Sequence, residues 1–368
     1  MNTKLSHRRE IQGLRALAVL AVITNHLFPG LLPGGFIGVD IFFLLSGYLI
    51  TCQLIELSTD GRAAHNLLLF YARRIRRILP SALLVIWVTV FLSYRYLGPV
   101  VGNQTLLDGR WSTIFLANSH FNSQKVDYFA QGASSPLLQH YWSLAVEEQF
   151  YIFWPIIILL ISLISIRRSR MITLLVITLI AVFSFTAVFT TEQTLIYFAT
   201  TTRVWELALG AVIAIWGVKE SSNILQWLAF SGLIASIFLI NSDDQIPGLA
   251  LIPALLATGV LLQVSSKTLK AVMGNPVLHY IGDLSFVLYL WHWPVIELHR
   301  QLAMEPLANN DLISLLFITF VLAIATHHLI ENPIRFNKYL VKHPGTTVVI
   351  GSSALILSFS ATYFLMKG

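Results

Sequence analysis

Long apolar runs recur along the whole sequence and leave few folds open to it. Of its 368 residues, 56% are hydrophobic and 11% are charged, whereas soluble domains carry roughly 25% charged residues. A membrane-spanning helix needs roughly 20 predominantly apolar residues. Runs of about this length cover 10–29, 36–56, 79–98, 141–165, 171–190, 202–218, 223–241, 248–265, 277–298, 311–331 and 346–366. We therefore predict an all-α, polytopic membrane bundle of eleven spans.

The lysines and arginines predict how these spans are oriented. Most of the 24 basic residues fall in segments that are cytoplasmic if the N-terminus is inside, as the positive-inside rule requires. The net charge of +6 therefore reports topology and not nucleic-acid binding. An odd number of spans places the C-terminus outside. Spans one, two, four and nine contain polar or Gly/Pro breaks and are expected to line the interior, whereas spans five, seven, eight and eleven are expected to face lipid.

Three ionisable residues lie inside the apolar stretch 13–51, namely Arg15, His26 and Asp40. Ionisable groups in hydrocarbon are costly, and they indicate function by default. Arg15 and His26 are eleven residues apart, so a helix points both the same way, about 16 Å apart along its axis. Asp40 follows the break PGLLPGG, which turns the chain back towards His26. The alternative is a buried, hydrogen-bonded histidine between two snorkelling or helix-capping charges.

A cluster of four arginines occupies the segment FYARRIRRILP, at the predicted cytoplasmic mouth of span three. Planar guanidinium groups bind phosphates through paired hydrogen bonds. The alternatives are a plain topology signal or contact with anionic lipid headgroups. No Gly-rich phosphate loop accompanies the cluster, which argues against a nucleotide triphosphatase.

Two adjacent carboxylates, Glu147 and Glu148, lie in the segment QHYWSLAVEEQFYIFWP at the start of span four. Adjacent helical residues point about 100° apart, so we expect one to pair with an arginine of another helix and the other to face a cavity. Direct catalysis is the alternative. Trp142 fits the aromatic belt at the membrane interface.

Two further polar positions occur in later spans. His292 lies between two tryptophans, and a hydrogen-bonded core histidine is the favoured interpretation. Glu331 lies one helical turn from His327 and His328, where Asn-Pro is predicted to end the helix. A metal site is not expected there, because no HExxH motif or further ligand set is nearby.

Taken together, these motifs resemble the acyltransferase-3 family of membrane acyltransferases over about residues 8–340. The resemblance rests on Arg15 with His26, followed in order by GGFIGVDIFFLLSGYLI, RRIRRILP, YWSLAVEEQFYIFWP, LYLWHWP and ENP. It implies transfer of an acetyl group from cytoplasmic acetyl-CoA to a hydroxyl of a bacterial surface glycan, with O-antigen of lipopolysaccharide as the expected acceptor and peptidoglycan or another exopolysaccharide as alternatives.

The resemblance also implies roles for individual residues. His26 would be the catalytic base, a task that suits an imidazole with an ordinary pKa of about 6.5; the alternative is that His26 itself takes the acetyl group. Asp40 would fix its tautomer, as in a catalytic triad, and Glu331 completes the predicted catalytic set. The predicted donor site consists of Arg15, Arg73, Arg74, Arg77, and Ser46 and Tyr48 of the SGY motif. Four residues are expected to be substrate-side or structural: Trp142, Glu147, Glu148 and His292.

Residues 1–340 are expected to form the ten-helix acyltransferase core, and 341–368 a linker with an eleventh helix leading outward. We expect a multi-pass protein of the bacterial inner membrane with a periplasmic C-terminus. Its expected partners are acetyl-CoA, a surface or lipid-linked glycan, membrane lipids and an SGNH domain beyond the eleventh helix, with no metal and no nucleic acid. The alternatives are a transporter or flippase for a lipid-linked sugar, which would need no acetyl-CoA site, and a receptor or scaffold.

Overall fold

The computed structural model describes residues 8–28, 30–57, 63–129, 135–164, 169–192, 195–217, 222–262, 266–303 and 309–366. Within these ranges the secondary structure is helical and contains no strand, which confirms the predicted all-α class. The helices are α1 (Arg9–Leu27), α2 (Gly38–Leu57), α3 (Ala63–Thr113), α4 (Ala117–Ser123), α5 (Tyr141–Ile164), α6 (Ser169–Thr190), α7 (Thr200–Trp216), α8 (Asn223–Leu239), α9 (Ile252–Leu261), α10 (Lys267–Met273), α11 (Pro276–Ala303), α12 (Asn309–Thr326), α13 (Asn332–Arg335), α14 (Lys338–Lys342) and α15 (Pro344–Leu365).

Six of the described helices are long and apolar enough to cross a membrane. They include α2, α3, α5, α6 and α15, and a sixth that runs from Asp311 to Arg335. Every predicted span overlaps a helix, but several of these helices, such as α8 and α9, are shorter than a full crossing. The chain is thus a multi-pass membrane protein by its apolar helices, and the number of eleven crossings stays a prediction.

The burial of individual helices tests which spans face outward. Only 22% of the most apolar window of α6 and 17% of that of α15 are buried, against 78% for α2. Spans five and eleven therefore expose apolar surface, as lipid-facing helices must. Span eight exposes less, because α9 buries most of its residues and packs against α2, α7 and α8; Leu256 is nevertheless 57% exposed, and contact of this span with lipid stays a prediction.

The third span differs most from its prediction. α3 extends over 51 residues and is interrupted at Gly98, whose φ of 83° is left-handed and suits a residue without a Cβ. Pro99 follows, and proline is well tolerated where a helix restarts. The arginine cluster lies in the first part of this helix, which begins at Ala63, and its place at the membrane surface stays a prediction. The stretch 99–140, between the predicted third and fourth spans, contains the second part of α3 and all of α4.

The sequence predicted that the helix would end at Asn332-Pro333, but it continues past them. A π-helical turn, His327–Glu331, follows α12 and passes directly into α13. A π turn shifts the hydrogen-bond register by one residue, so the missing N–H of Pro333 can be accommodated. Glu331 is therefore carried by a continuous helical segment.

The described chain divides into two compact units. The first comprises Met1–Thr59 and Gln149–Ser285. Its helices approach closely at glycines: a Cβ on Gly47 would meet the carbonyl oxygen of Leu207 in α7, and one on Gly210 would meet that of Leu44 in α2. Such contacts allow the backbones of membrane helices to pack directly against one another, and they fix α7 alongside α2.

The second unit comprises Asp60–Glu148 and Phe286–Gly368. Within it α15 packs along α3, where a Cβ on Gly351 would lie 2.5 Å from Cγ2 of Ile75. The indole Nε1 of Trp87 donates to Oγ of Ser358 at 2.9 Å. The last helix is therefore attached to the same helix that carries the arginine cluster.

Candidate active site

α1 carries both Arg15 and His26 without interruption. Both side chains are partly exposed, whereas Val19 and Val22 between them are fully buried. Helix geometry then places the two groups on one side of α1 at the predicted separation of about 16 Å. Arg15 is also held from outside the helix, since its Nε donates to Oγ of Ser285 in α11 at 3.1 Å.

The Pro/Gly break folds back onto the end of α1 next to His26. Asn25 donates through Nδ2 to the carbonyl oxygens of Leu32 at 2.9 Å and Pro33 at 3.1 Å. A Cβ on Gly35 would meet the carbonyl oxygen of Ala21 and would lie 2.7 Å from Cβ of Asn25. The sequence prediction that this break returns the chain towards His26 is therefore confirmed.

Asp40 belongs to a buried ion cluster. Its Oδ1 accepts from Nη1 of Arg203 at 2.7 Å, and the same Nη1 donates to Oε1 of Glu206 at 3.2 Å. Nε of Arg203 donates to the carbonyl oxygen of Tyr197 at 2.9 Å, and the guanidinium lies 4.4 Å from the centre of the Tyr197 ring. The hydrogen bond that holds Asp40 thus comes from Arg203. The predicted action of Asp40 on His26 stays a prediction.

Neither Arg203 nor Glu206 is among the predicted site residues. Both lie in the predicted span 202–218, where the side chain of Arg203 is only 1% exposed and that of Glu206 is fully buried. The available signal was an arginine and a glutamate three residues apart inside the apolar run TTTRVWELALG. A charged pair at this spacing lies on one face of a helix, so it needed a partner of opposite charge from another span.

The SGY motif lies on α2 in the same unit. Ser46 is partly exposed, whereas Tyr48 is 2% exposed. The hydroxyl of Tyr48 accepts from Nη1 of Arg8 at 3.3 Å, and Nη2 of Arg8 donates to the carbonyl oxygen of Leu262 at 2.6 Å. Tyr48 therefore ties α2 to the start of α1, and its assignment to the donor site stays a prediction.

The arginines of α3 have different surroundings. Arg76 is buried and donates to the carbonyl oxygens of Arg335 at 3.3 Å and Leu340 at 3.2 Å, so its role is structural. Arg73 is exposed, and its Nε donates to a carbonyl of its own helix. Arg74 and Arg77 are partly exposed. Unlike Arg76, the three arginines that the sequence predicted for the donor site are at least partly exposed, and their binding of an anion stays a prediction.

The paired carboxylates of α5 separate as expected. Oε1 of Glu148 accepts from Nη2 of Arg74 in α3 at 3.2 Å. Glu147 is more exposed than Glu148. The prediction of an ion pair between one glutamate and an arginine of another helix is confirmed. Trp142 is buried, and its ring makes an edge-to-face contact with that of Tyr128.

His292 lies in an aromatic cluster at the start of α5. Its Nδ1 donates to the carbonyl oxygen of Tyr289 at 2.6 Å, and its ring centre lies 5.8 Å from that of His140. The hydroxyls of Tyr289 and Ser143 are 2.7 Å apart. His292 is fully buried, which confirms the predicted core histidine.

Glu331 joins two basic groups of its own helix. Its Oε2 bonds to Nδ1 of His327 at 2.9 Å, and its Oε1 accepts from Nη1 of Arg335 at 3.3 Å. The carboxylate is buried. It is therefore already engaged in charge pairing, and its predicted catalytic role stays a prediction.

The predicted site residues are divided between the two units. The first unit contains Arg15, His26, Asp40, Ser46 and Tyr48, and the second contains Arg73, Arg74, Arg77, Trp142, Glu147, Glu148, His292 and Glu331. The described geometry groups a basic residue and an imidazole on α1, a three-residue ion cluster on α2 and α7, and a guanidinium–carboxylate pair between α3 and α5.

A family model described as an acyltransferase domain matches residues 8–328 of the chain. YrhL of Bacillus subtilis strain 168, which is named for peptidoglycan O-acetylation, is 34% identical over 379 residues, covering 91% of this chain and 56% of YrhL. OatA of Staphylococcus aureus strain NCTC 8325 / PS 47, named an O-acetyltransferase, is 32% identical over 345 residues, covering 88% of this chain and 57% of OatA. The chain therefore spans little more than half the length of these relatives. No solved structure matches it.

Proposed function

Because the chain belongs to the acyltransferase-3 family, we propose that it transfers an acetyl group from cytoplasmic acetyl-CoA to a hydroxyl of an extracytoplasmic glycan. The observation that carries this proposal is the uninterrupted helix α1, which holds a guanidinium and an imidazole about three turns apart. The separation of Arg15 and His26 along the helix axis, about 16 Å, is comparable to the length of the pantetheine arm of the donor. Arg15 can thus bind the donor while the thioester reaches His26.

The reaction needs one proton acceptor and no redox partner. His26 takes the proton from the glycan hydroxyl as its oxygen attacks the thioester carbonyl carbon. The bond from that carbon to sulfur then breaks, and the CoA thiolate takes up the proton as it leaves. A positioned general base of this kind contributes about 10²–10⁴-fold to the rate. Arg15, Arg73, Arg74 and Arg77 supply fork-shaped donors for the phosphates of CoA.

The acceptor is proposed as a class, a hydroxyl-bearing surface glycan. The sequence motifs favour O-antigen of lipopolysaccharide, and the name of YrhL favours peptidoglycan. Both offer sugar hydroxyls outside the cytoplasmic membrane, and the same chemistry would acetylate either. The proposed location is the bacterial inner membrane, with the N-terminus in the cytoplasm and the C-terminus outside.

Complementation of a deletion strain tests the proposal and separates the two acceptors. The wild-type gene should restore O-acetyl groups to one isolated glycan, whether O-antigen or peptidoglycan, and a plasmid encoding His26→Ala should not. His65→Ala, which changes an exposed histidine, serves as the matched control and should restore them. If the wild-type gene changes the amount of surface glycan without any O-acetyl group, the transporter alternative is correct and the acetyltransferase proposal fails.

A further inference from the structure

The ion cluster of the first unit contains more acidic groups than basic ones. Asp40, Arg203 and Glu206 are 3%, 1% and 0% exposed. Among the described residues, the carboxyl groups of Asp40 and Glu206 both pair with the guanidinium of Arg203. An unpaired charge in a buried site is strongly unfavourable. The cluster is neutral only if one of the two carboxyl groups carries a proton.

The hydrogen bonds also favour one proton on the two acids. Nη1 of Arg203 donates to an oxygen of each, so the carboxyl groups of Asp40 and Glu206 are neighbours, and two carboxyl groups can bond directly only through a proton. Oε2 of Glu206 has no hydrogen-bond donor among the described residues. A shared proton would satisfy the pair of acids and leave one negative charge for Arg203.

The cluster also lies in a series of contacts that ends at Asn25, the residue before His26. Asp40 belongs to the first turn of α2, and two residues before it a Cβ on Gly38 would meet the carbonyl oxygen of Ala18 in α1. Ahead of α2, the 3₁₀ turn Gly35–Ile37 packs on α1. Before that turn lie the two carbonyls that Asn25 holds. Through its hydrogen bond to Asp40, Arg203 holds the start of α2 against the residues beside His26.

We propose that the buried cluster of Asp40, Arg203 and Glu206 positions the end of α1 that carries His26, with one proton shared between its two carboxyl groups. This inference rests on the proposed acetyl transfer for its kinetic consequence. Arg203 and Glu206 are positioning residues, because they act through the backbone of α2 and have no assigned contact with donor or acceptor.

Spin labelling tests the positioning without any activity measurement. Leu31, in the segment that Asn25 holds, is 61% exposed, and Cys52 is the chain's only cysteine. A nitroxide on Leu31→Cys in a Cys52→Ser background should become more mobile when Arg203→Met is added. Arg170→Met is the matched control: it removes an arginine that bonds carbonyls at the opposite end of α7, and should leave the label unchanged. Unchanged label mobility in folded Arg203→Met would overturn the proposal.

Steady-state kinetics test the shared proton. Glu206→Gln keeps a hydrogen-bond donor and a neutral cluster, so its kcat should stay within about twofold of wild type. Arg203→Met should lower kcat by roughly 100-fold with the KM for acetyl-CoA unchanged, because a 1 Å misplacement of a reacting group has effects of that size. Arg203→Lys, which keeps the charge, should recover part of the loss.

The outcomes remain distinguishable if a variant does not fold or the proposed reaction is wrong. If the Arg203→Met protein does not insert into the membrane, Arg203→Lys can replace it in the spin-labelling experiment. The nitroxide on Leu31→Cys should then show a smaller increase in mobility. Equal losses of kcat in Glu206→Gln and Arg203→Lys would overturn the shared proton. If wild type shows no acetyl transfer, the proposed function fails, whereas the label still decides whether Arg203 positions the end of α1.

Discussion

The separation of Arg15 and His26 is set by eleven helical residues and cannot change without breaking α1. Half-buried side chains at both positions leave each group accessible on a helix that is otherwise closely packed. A guanidinium binds anions, and an imidazole exchanges protons near neutral pH. The two roles therefore follow from residue type, and the distance between them follows from helix geometry.

Replacement of His26 by alanine should abolish acetyl transfer and preserve donor binding. Loss of a general base lowers turnover about 10²–10⁴-fold, so the variant should retain less than about a tenth of wild-type activity. Purified protein and radiolabelled acetyl-CoA would give turnover, and equilibrium dialysis would give the donor Kd. Turnover near the wild-type level would exclude His26 as the base.

Replacement of Arg15 by lysine should weaken acetyl-CoA binding about tenfold. Lysine keeps the charge but loses the planar fork, and a hydrogen bond to a charged group contributes about 1.5–3 kcal/mol. Isothermal titration calorimetry would measure the Kd. Ser285→Ala is the matched control, because it removes the hydroxyl that Arg15 contacts and leaves the guanidinium in place. An equal loss in both variants would show that the Ser285 contact, and not the fork, is responsible.

At the scale of helices, apolar run length predicted where elements occur, because hydrophobicity is a local property of the sequence. Every predicted span overlaps a helix. The ends were predicted less well, as with α3 and the π turn at His327–Glu331. There, a left-handed glycine or a shift of hydrogen-bond register allows proline within a longer helical segment, and neither can be deduced from composition.

Pairings between helices were predicted only in part. An ion pair between one of the two adjacent glutamates and an arginine of another helix was predicted, because carboxylates in a membrane helix need partners; that the pair is Glu148 with Arg74 was not. The partner of Asp40 was not predicted. Arg203 is 163 residues away along the chain, and no local pattern connects the two. The sequence indicated that Asp40 was important, whereas its environment depended on which helices lie side by side.

Close contact between α2 and α7 predicts opposite effects for two glycine substitutions. Gly210→Ala should destabilise the protein by about 1–3 kcal/mol, the usual effect of overpacking, because the added methyl would meet the carbonyl oxygen of Leu44. Gly232→Ala in α8 is the control, since a Cβ there meets nothing within 4 Å, and it should stabilise by up to about 1 kcal/mol. Thermal unfolding in one detergent would compare them. Equal midpoints would contradict the close approach.

At the scale of the whole molecule, the exposed apolar helices and the lysine and arginine distribution predict one orientation in the membrane. Both ends of the described chain are helical, and α15 leads away from the basic segment that precedes it. The family match covers residues 8–328, which leaves α13, α14 and all of α15 outside the matched region.

Cysteine labelling in intact cells should confirm that orientation. In a Cys52→Ser background, Leu31→Cys should react with a membrane-impermeant maleimide added from outside, because the turn after α1 is predicted to be extracytoplasmic. Val272→Cys, on an exposed position of α10, lies in a predicted cytoplasmic segment and should react only after the cells are permeabilised. The reverse pattern would invert the topology.

The Arg74–Glu148 pair has a consequence for the energetics of donor binding. A phosphate that bonds to Nη2 of Arg74 must displace the carboxylate that accepts from it at 3.2 Å, so binding at this atom is an exchange of one anion for another. The released Glu148 is 9% exposed and has lost that hydrogen bond, a state that favours proton uptake. Acetyl-CoA binding should then draw protons from the medium. Calorimetry in buffers with different ionisation enthalpies would give the number of protons taken up per acetyl-CoA bound. Glu148→Gln should lower that number.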